Sequence, residues 1–352
     1  MELVYTELSS PGADVPTVHE TPPKPAGYDL TPGQTLDDRF FITETISHSG
    51  MATIFKATDL LTRQDVALKV PYMHYESDPR FYSCFVREEK IGLRLNHPYI
   101  LKVIPVENRS RPYIVTEYLH GHTLAHLLKN VHTLPEKEAI TLASRMCEAL
   151  AHMHEHGVVH RDLKPGNVMI CLDGSIRILD FGIAENMGRR FPFIAVTPSK
   201  GTPEYMSPEH VRGRREDERA DVYSLGVMLY EMVTGTIPFA SENEDVFVAM
   251  NARVTGDPVA PRILNRELSE QVEEIVLHAM ERDPGNRYPT AVAMKEDLDQ
   301  PGEVRLTGRC HRLQTPSPWK QHWKNALLLG LTLTTIVIGF VQLILLIMRR
   351  GP

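Results

Sequence analysis

Cysteine is scarce. The 352 residues include four, Cys84, Cys147, Cys171 and Cys310, none at the spacing of a metal-ligand pair or a disulfide framework. They read as reduced thiols in a cytosolic compartment. A charged start followed by a short apolar run is also missing, so no cleavable signal peptide is expected. Large apolar residues are sparse at the start, where Pro11, Pro16, Pro22, Pro23, Pro25 and Pro32 fall. Such a stretch cannot bury enough surface to offset ordering, and residues 1–37 are expected to form a disordered arm. The body is poor in positive charge. The net charge is −7, yet residues 301–352 hold seven Lys/Arg against Glu303 alone, which leaves −13 on the first 300 residues. That balance argues against nucleic-acid binding by the body and places the basic tail near anionic lipid.

What is present concentrates around one hairpin. The string His160-Arg161-Asp162-Leu163-Lys164-Pro165-Gly166-Asn167 leads into Val168-Met169-Ile170-Cys171, the turn residues Asp173-Gly174, and Ile176-Arg177-Ile178-Leu179. Asp180-Phe181-Gly182 follows. A tight β-ribbon thus holds Asp162 and Asn167 at its entry and Asp180 at its exit. Phosphoryl transfer needs such a set: a carboxylate to orient a hydroxyl, and oxygen ligands to hold Mg²⁺ against phosphates. Upstream, residues 39–46 read as a strand, and Val66-Ala67-Leu68-Lys69 reads as a strand ending in lysine. A helical run over residues 85–95 carries Glu88 and Glu89, either of which could partner a buried Lys69. Residues 124–130 and 135–156 have helical apolar spacing, and a helix opening at Asp221 is apolar nearly all round and hence buried.

The hairpin string resembles the catalytic loop and metal-binding element of eukaryotic-type protein kinases. The resemblance runs from about residue 38 to 300 and is closest to bacterial serine/threonine kinases with a C-terminal membrane span. It implies an α+β, two-lobed fold, a β-rich lobe over a helical lobe with ATP between them. Asp162 would be the catalytic base and Lys164 would steady the γ-phosphate. Asn167 and Asp180 would hold Mg²⁺, with Mn²⁺ as an alternative metal. Lys69, fixed by Glu88, would hold the α- and β-phosphates. Around the nucleotide the resemblance places Ile46, Ile54 and Ala67, with Thr116 as gatekeeper and the backbone near Glu117 and Leu119 at the adenine. The signature glycine positions of the phosphate loop fall on Ser47, Ser49 and Ala52, and only the extra Gly50 remains. Arg161 implies control by a phosphate on the activation segment, at Thr197 or Ser199. Thr202 and Lys164 imply serine/threonine substrates. Arg287 matches the arginine that pairs with the segment-closing Glu209. The depleted glycine loop keeps one alternative open, a membrane-tethered pseudokinase scaffold with weak nucleotide binding.

Residues 301–325 are polar and basic, an expected juxtamembrane linker. Residues 326–348 run without a charge before Arg349-Arg350-Gly351-Pro352. A helix of that length spans roughly 34 Å, enough for a bilayer core. Five basic residues before it against two after agree with a single pass through the cell's inner membrane, with the body cytoplasmic and four residues outside. The expected partners are therefore protein substrates and membrane lipid. Thr332, Thr335, Gly339 and Gln342 form one stripe of that helix, which could pair with its copy in a homodimer.

Overall fold

The computed structural model describes residues 30–48, 51–76, 78–180, 203–214, 216–239 and 246–313. Seven of the nine strands among the described residues precede the helices of the larger lobe, which begin at Leu124. They are β1 (Thr35–Leu36), β2 (Phe40–His48), β3 (Ala52–Asp59), β4 (Gln64–Pro71), β5 (Val103–Ile104), β6 (Ile114–Glu117) and β7 (Gly121–Thr123). The first six make an antiparallel sheet in the order β1-β2-β3-β4-β6-β5. Helices α1 (Met73–Glu76) and α2 (Pro79–Gly92) are inserted between β4 and β5. Period-two alternation decides the two faces of this sheet. Phe55, Ala57, Val66, Leu68, Val70 and Val115 point to one side and join Phe40, Ile42 and Tyr113 in a buried core. Lys69, two residues from Ala67, therefore points to the other side, towards the second lobe.

The larger lobe is helical. It contains α3 (Leu124–Val131), α4 (Glu136–Glu155), α5 (Pro208–Val211), α6 (Arg219–Thr234), α7 (Val246–Thr255), α8 (Pro261–Leu264), α9 (Glu270–Ala279), α10 (Ala291–Asp299) and α11 (Arg309–Arg312). Its core centres on α6, where Val222, Leu225, Val227, Met228, Leu229 and Met232 are all fully buried. Strands β8 (Val168–Cys171) and β9 (Ile176–Ile178) form the expected hairpin and pair with β7 in a three-stranded sheet. Gly174 takes a positive φ of 77° at its turn, where Asp173 Oδ1 accepts the Ser175 N–H at 2.9 Å. At Gly121 a Cβ would stand 2.0 Å from the Ile170 carbonyl oxygen, so only glycine lets β7 approach β8. The hairpin is tied to the small lobe by the Leu101 N–H on Ile178 O at 3.0 Å and the Ile178 N–H on Tyr99 O at 2.8 Å.

Three expectations need correction. Residues 30–37 belong to the body: β1 pairs with β2, Leu36 is buried, and Asp37 accepts the Tyr113 hydroxyl at 2.7 Å. Two strand residues among prolines are too short a pattern to read from periodicity. Helix α2 starts at Pro79, six residues before the apolar run suggested, because proline's fixed φ suits a first turn. Residues 301–313 are docked, with Arg309 against Glu274 at 2.6 Å and Glu281 at 3.2 Å. Among the described residues no helix is long and apolar enough to cross a membrane, and the span expected over 326–348 lies outside them.

Arg39 grips Asp59 through two hydrogen bonds of 3.0 and 2.8 Å, joining the start of β2 to the end of β3. The guanidinium outweighs burial and holds the Asp59 carboxyl down at about 2, from an ordinary 3.8. A lowered folded pKa contributes stability above the unfolded value and loses it as pH falls towards the folded one. The contribution is about 2 kcal/mol. Asp59→Asn should remove that amount at neutral pH and flatten the loss of stability between about pH 4 and 2. Urea unfolding at several pH values measures both.

Candidate functional site

The face of β4 turned from the small-lobe core presents Ala67 and Lys69. Pairing sets Ala67 opposite Thr116 and Lys69 opposite Ile54, so these expected nucleotide residues line one surface. Lys69 Nζ lies 2.5 Å from Glu88 Oε1 and 3.0 Å from Asp180 Oδ1. Burial opposes the charge on Lys69, but the carboxylates of Asp180 and Glu88 outweigh it and hold its pKa above the ordinary lysine range. Lys69, helped by His160 and Lys164, holds Asp180 below the ordinary carboxylate range against burial. Burial and the charge of Asp180 push Glu88 upward against the pull of Lys69, so Asp180 is the firmer anion. The choice between the two adjacent glutamates is decided by helix geometry. Glu88 faces Lys69, whereas Glu89 faces Arg109.

Below this joint, Asp162 Oδ2 accepts Lys164 Nζ at 2.7 Å and Asn167 Nδ2 at 3.1 Å. Asn167 Nδ2 also donates to the Asp162 carbonyl at 2.8 Å. Both donor contacts use the amide nitrogen, which leaves Asn167 Oδ1 as a free acceptor type. Together with Asp180 Oδ2 it supplies the hard oxygen donors that Mg²⁺ takes. This donor set fits the metal.

Asp221 was not assigned a role from the sequence, beyond standing in a buried helix. Its side chain has no solvent exposure. One oxygen accepts the His160 N–H at 2.8 Å and lies 2.8 Å from His154 Nε2, and the other accepts the Arg161 N–H at 2.9 Å. Burial works to raise its pKa, but these bonds and the nearby histidines hold it below the ordinary range. Arg161 has a positive φ of 65° and Asp180 one of 46°, backbone states that side-chain-bearing residues seldom adopt. At Arg161 the Asp221 bond holds the bend in place. An acid in an otherwise apolar helix was the available signal, since a buried carboxylate must have partners.

At the lobe connection, Thr116 Oγ1 donates to the Glu117 carbonyl at 3.2 Å. The Glu117 carboxylate accepts the Lys102 N–H at 3.0 Å and Arg177 Nε at 3.3 Å. Leu119 is half-buried, and Ile46 is 45% exposed at the sheet edge. Ser47 pairs with Ile54 across β2 and β3. Ser49 and Gly50 lie outside the described residues, as do Thr197, Ser199 and Thr202. Glu209 closes the segment. Arg287 clasps it with two hydrogen bonds of 2.7 Å, both side chains being buried, and stacks its guanidinium 4.8 Å from the Tyr223 ring centre.

The protein kinase domain family matches residues 42–298, and the chain belongs to that family. Serine/threonine-protein kinase PknB of Mycolicibacterium smegmatis is 38% identical over 275 residues, covering 76% of this chain and 44% of that protein. A probable serine/threonine-protein kinase of Streptomyces coelicolor is 36% identical, covering 75% of this chain and 40% of that protein. The chain thus spans less than half the length of these curated relatives. The crystal structure of the Mycobacterium tuberculosis PknI kinase domain covers 78% of this chain and 100% of its own, with a TM-score of 0.60 and 22% identity. That likeness bears on the fold alone.

Replacing Asp221 by Asn puts an amide donor beside two backbone donors. Asp221→Asn should cost about 3 kcal/mol of stability and loosen residues 160–162. Urea unfolding reads the first and hydrogen exchange of the His160 and Arg161 amides reads the second. An unchanged midpoint would contradict the anchoring role.

Proposed function

We propose that this chain is a serine/threonine protein kinase that transfers the γ-phosphate of ATP to hydroxyls of protein substrates. The observation that carries the reading is the convergence of Lys69, Glu88 and Asp180 with Asp162, Lys164 and Asn167 on one cleft. ATP lies in this reading beneath the sheet, against Ile46, Ile54, Ala67 and Thr116, with its adenine at the backbone of Glu117 and Leu119. Lys69 grips the α- and β-phosphates, and Glu88 keeps its ammonium from swinging away. Asp162 accepts the hydrogen bond of the incoming hydroxyl, aims its oxygen and takes its proton. Lys164, at 2.7 Å from that carboxylate, is placed to offset charge on the transferred group. Asn167 and Asp180 hold Mg²⁺, which when bound neutralises charge on the phosphates. Catalysis is then mostly positioning and charge complementarity.

The organisation accompanying this reading is a membrane-anchored one. Residues 326–348 span the inner membrane once, residues 314–325 link it to a cytoplasmic kinase body, and the arm before residue 30 stays outside the fold. Their charge-free run and basic flanks support this. Thr197 or Ser199 receives a regulatory phosphate through autophosphorylation, with Arg161 as its receptor and Thr202 at the substrate-docking end. If the stripe through Gly339 and Gln342 pairs with its copy, the resulting homodimer would aid this step.

Purified chain with Mg-ATP should phosphorylate serine and threonine of added protein. Asp162→Asn should lower kcat by about 10²–10⁴-fold with ATP binding retained, whereas Asp180→Asn should remove productive Mg-ATP binding. Parent-like transfer by both variants contradicts the assignment. Nucleotide binding by the parent without any transfer would favour a scaffold role instead.

A further inference from the structure

Helix α2, which carries Glu88, is held from a second side. Glu89 sits about 100° further round the helix and points away from Lys69. It is only 8% exposed, and its carboxylate meets Arg109 Nη2. Arg109 stands in the connection between β5 and β6 and spreads its fork over several partners. Nε donates to Val106 O at 3.1 Å, Nη1 donates to Tyr113 O at 2.6 Å, and the guanidinium lies 5.5 Å from the Tyr113 ring centre. Tyr113 is fully buried, and its hydroxyl donates to Asp37 Oδ2 at 2.7 Å. Asp37 also accepts the Ser110 N–H at 3.2 Å. A continuous set of polar contacts therefore runs from residues 30–37 through Tyr113 and Arg109 to α2.

Two adjacent glutamates on one helix pose a register problem. A rotation of α2 by one residue would offer Glu89 to Lys69 and displace Glu88. Apolar packing through Phe81 and Phe85 tolerates some sliding, since it has no fixed direction. A guanidinium hydrogen-bonded to Val106, Tyr113 and Glu89 has direction, and withdrawing Glu89 from it would leave a buried carboxylate without its cation. We infer that Arg109 is a positioning residue for phosphoryl transfer: by holding Glu89 it fixes the rotation of α2 at which Glu88, and not Glu89, reaches Lys69. Its effect on rate rests on the kinase reading above; its effect on α2 does not.

The test uses the full chain and the variants Arg109→Gln, Arg109→Lys, Glu89→Met and Arg109→Gln with Glu89→Met. Arg109→Gln and Glu89→Met should each lower kcat about 10-fold while the KM for ATP stays within about 3-fold, because adenine contacts are untouched. The double variant should fall no more than about 2-fold below the weaker single, since both remove one contact. Arg109→Lys, which keeps a cation for Glu89 but loses the fork onto Val106 O and Tyr113 O, should fall between the parent and Arg109→Gln. Hydrogen exchange across residues 79–92 should rise in Arg109→Gln and Glu89→Met. Unchanged kcat in both singles, or losses that multiply in the double, would overturn the inference. If Arg109→Gln does not fold, Glu89→Met decides, because it leaves Arg109 its carbonyl acceptors. If the parent chain transfers no phosphate, the kinase reading fails; exchange across residues 79–92 then decides alone, and no change there overturns the positioning role.

Discussion

The ammonium of Lys69 between two carboxylates is the interaction on which the rest depends. Its three members come from three separate pieces of chain: strand β4, helix α2 and the exit of the β8–β9 hairpin. With side-chain exposures of 24% at Lys69 and 17% at Glu88 the pair is largely withdrawn from water, where a charge without a partner is costly. The contact therefore constrains each piece. Strand alternation points Lys69 out of the small-lobe core, helix rotation points Glu88 at it, and the bend at Asp180 brings up the third group. Moving the strand or the helix by a residue would leave a largely desolvated charge without its partner.

The lower half of the cleft answers to a fully buried charge, Asp221. Helix α6 is apolar along most of its length, which fixes it in the centre of the large lobe. Asp221 is thereby immobilised, and its two oxygens hold the His160 and Arg161 amides above it. The catalytic loop is thus hung from the helix at the centre of the large-lobe core, while Lys69 ties the upper lobe to the same hairpin. The Leu179 N–H on Asn167 O, at 2.8 Å, links the two ends of that hairpin. Position in this site comes from burial, and its chemistry comes from the charges that burial strands there.

Much of this could be read from residues close in sequence. The hairpin after Asn167 combines alternating apolar strands with Asp173-Gly174, and both strands formed where that pattern put them. Glu209 and Arg287 meet as the resemblance implied, although 78 residues separate them. What escaped the sequence depends on contacts with no local signature. Thr35–Leu36 is a strand because β2 offers it partners, and its own residues show no run. The docking of residues 301–313 hangs on Arg309 finding Glu274, a pairing that composition hides among many basic residues. Asp221 showed that it was buried but not what it held. Glu89 read as a less suitable copy of Glu88, and only the far side of α2 shows its separate partner.

The central claim is that the Lys69–Glu88 contact positions phosphate for transfer and does not merely stabilise the fold. The direct measurement is single-turnover transfer by Glu88→Gln at saturating Mg-ATP, compared with the parent. The account predicts a rate about 10²-fold lower with ATP affinity changed little, because Lys69 keeps its charge through Asp180 but loses its fixed direction. A Glu88→Gln chain that transfers phosphate at the parent rate would contradict it.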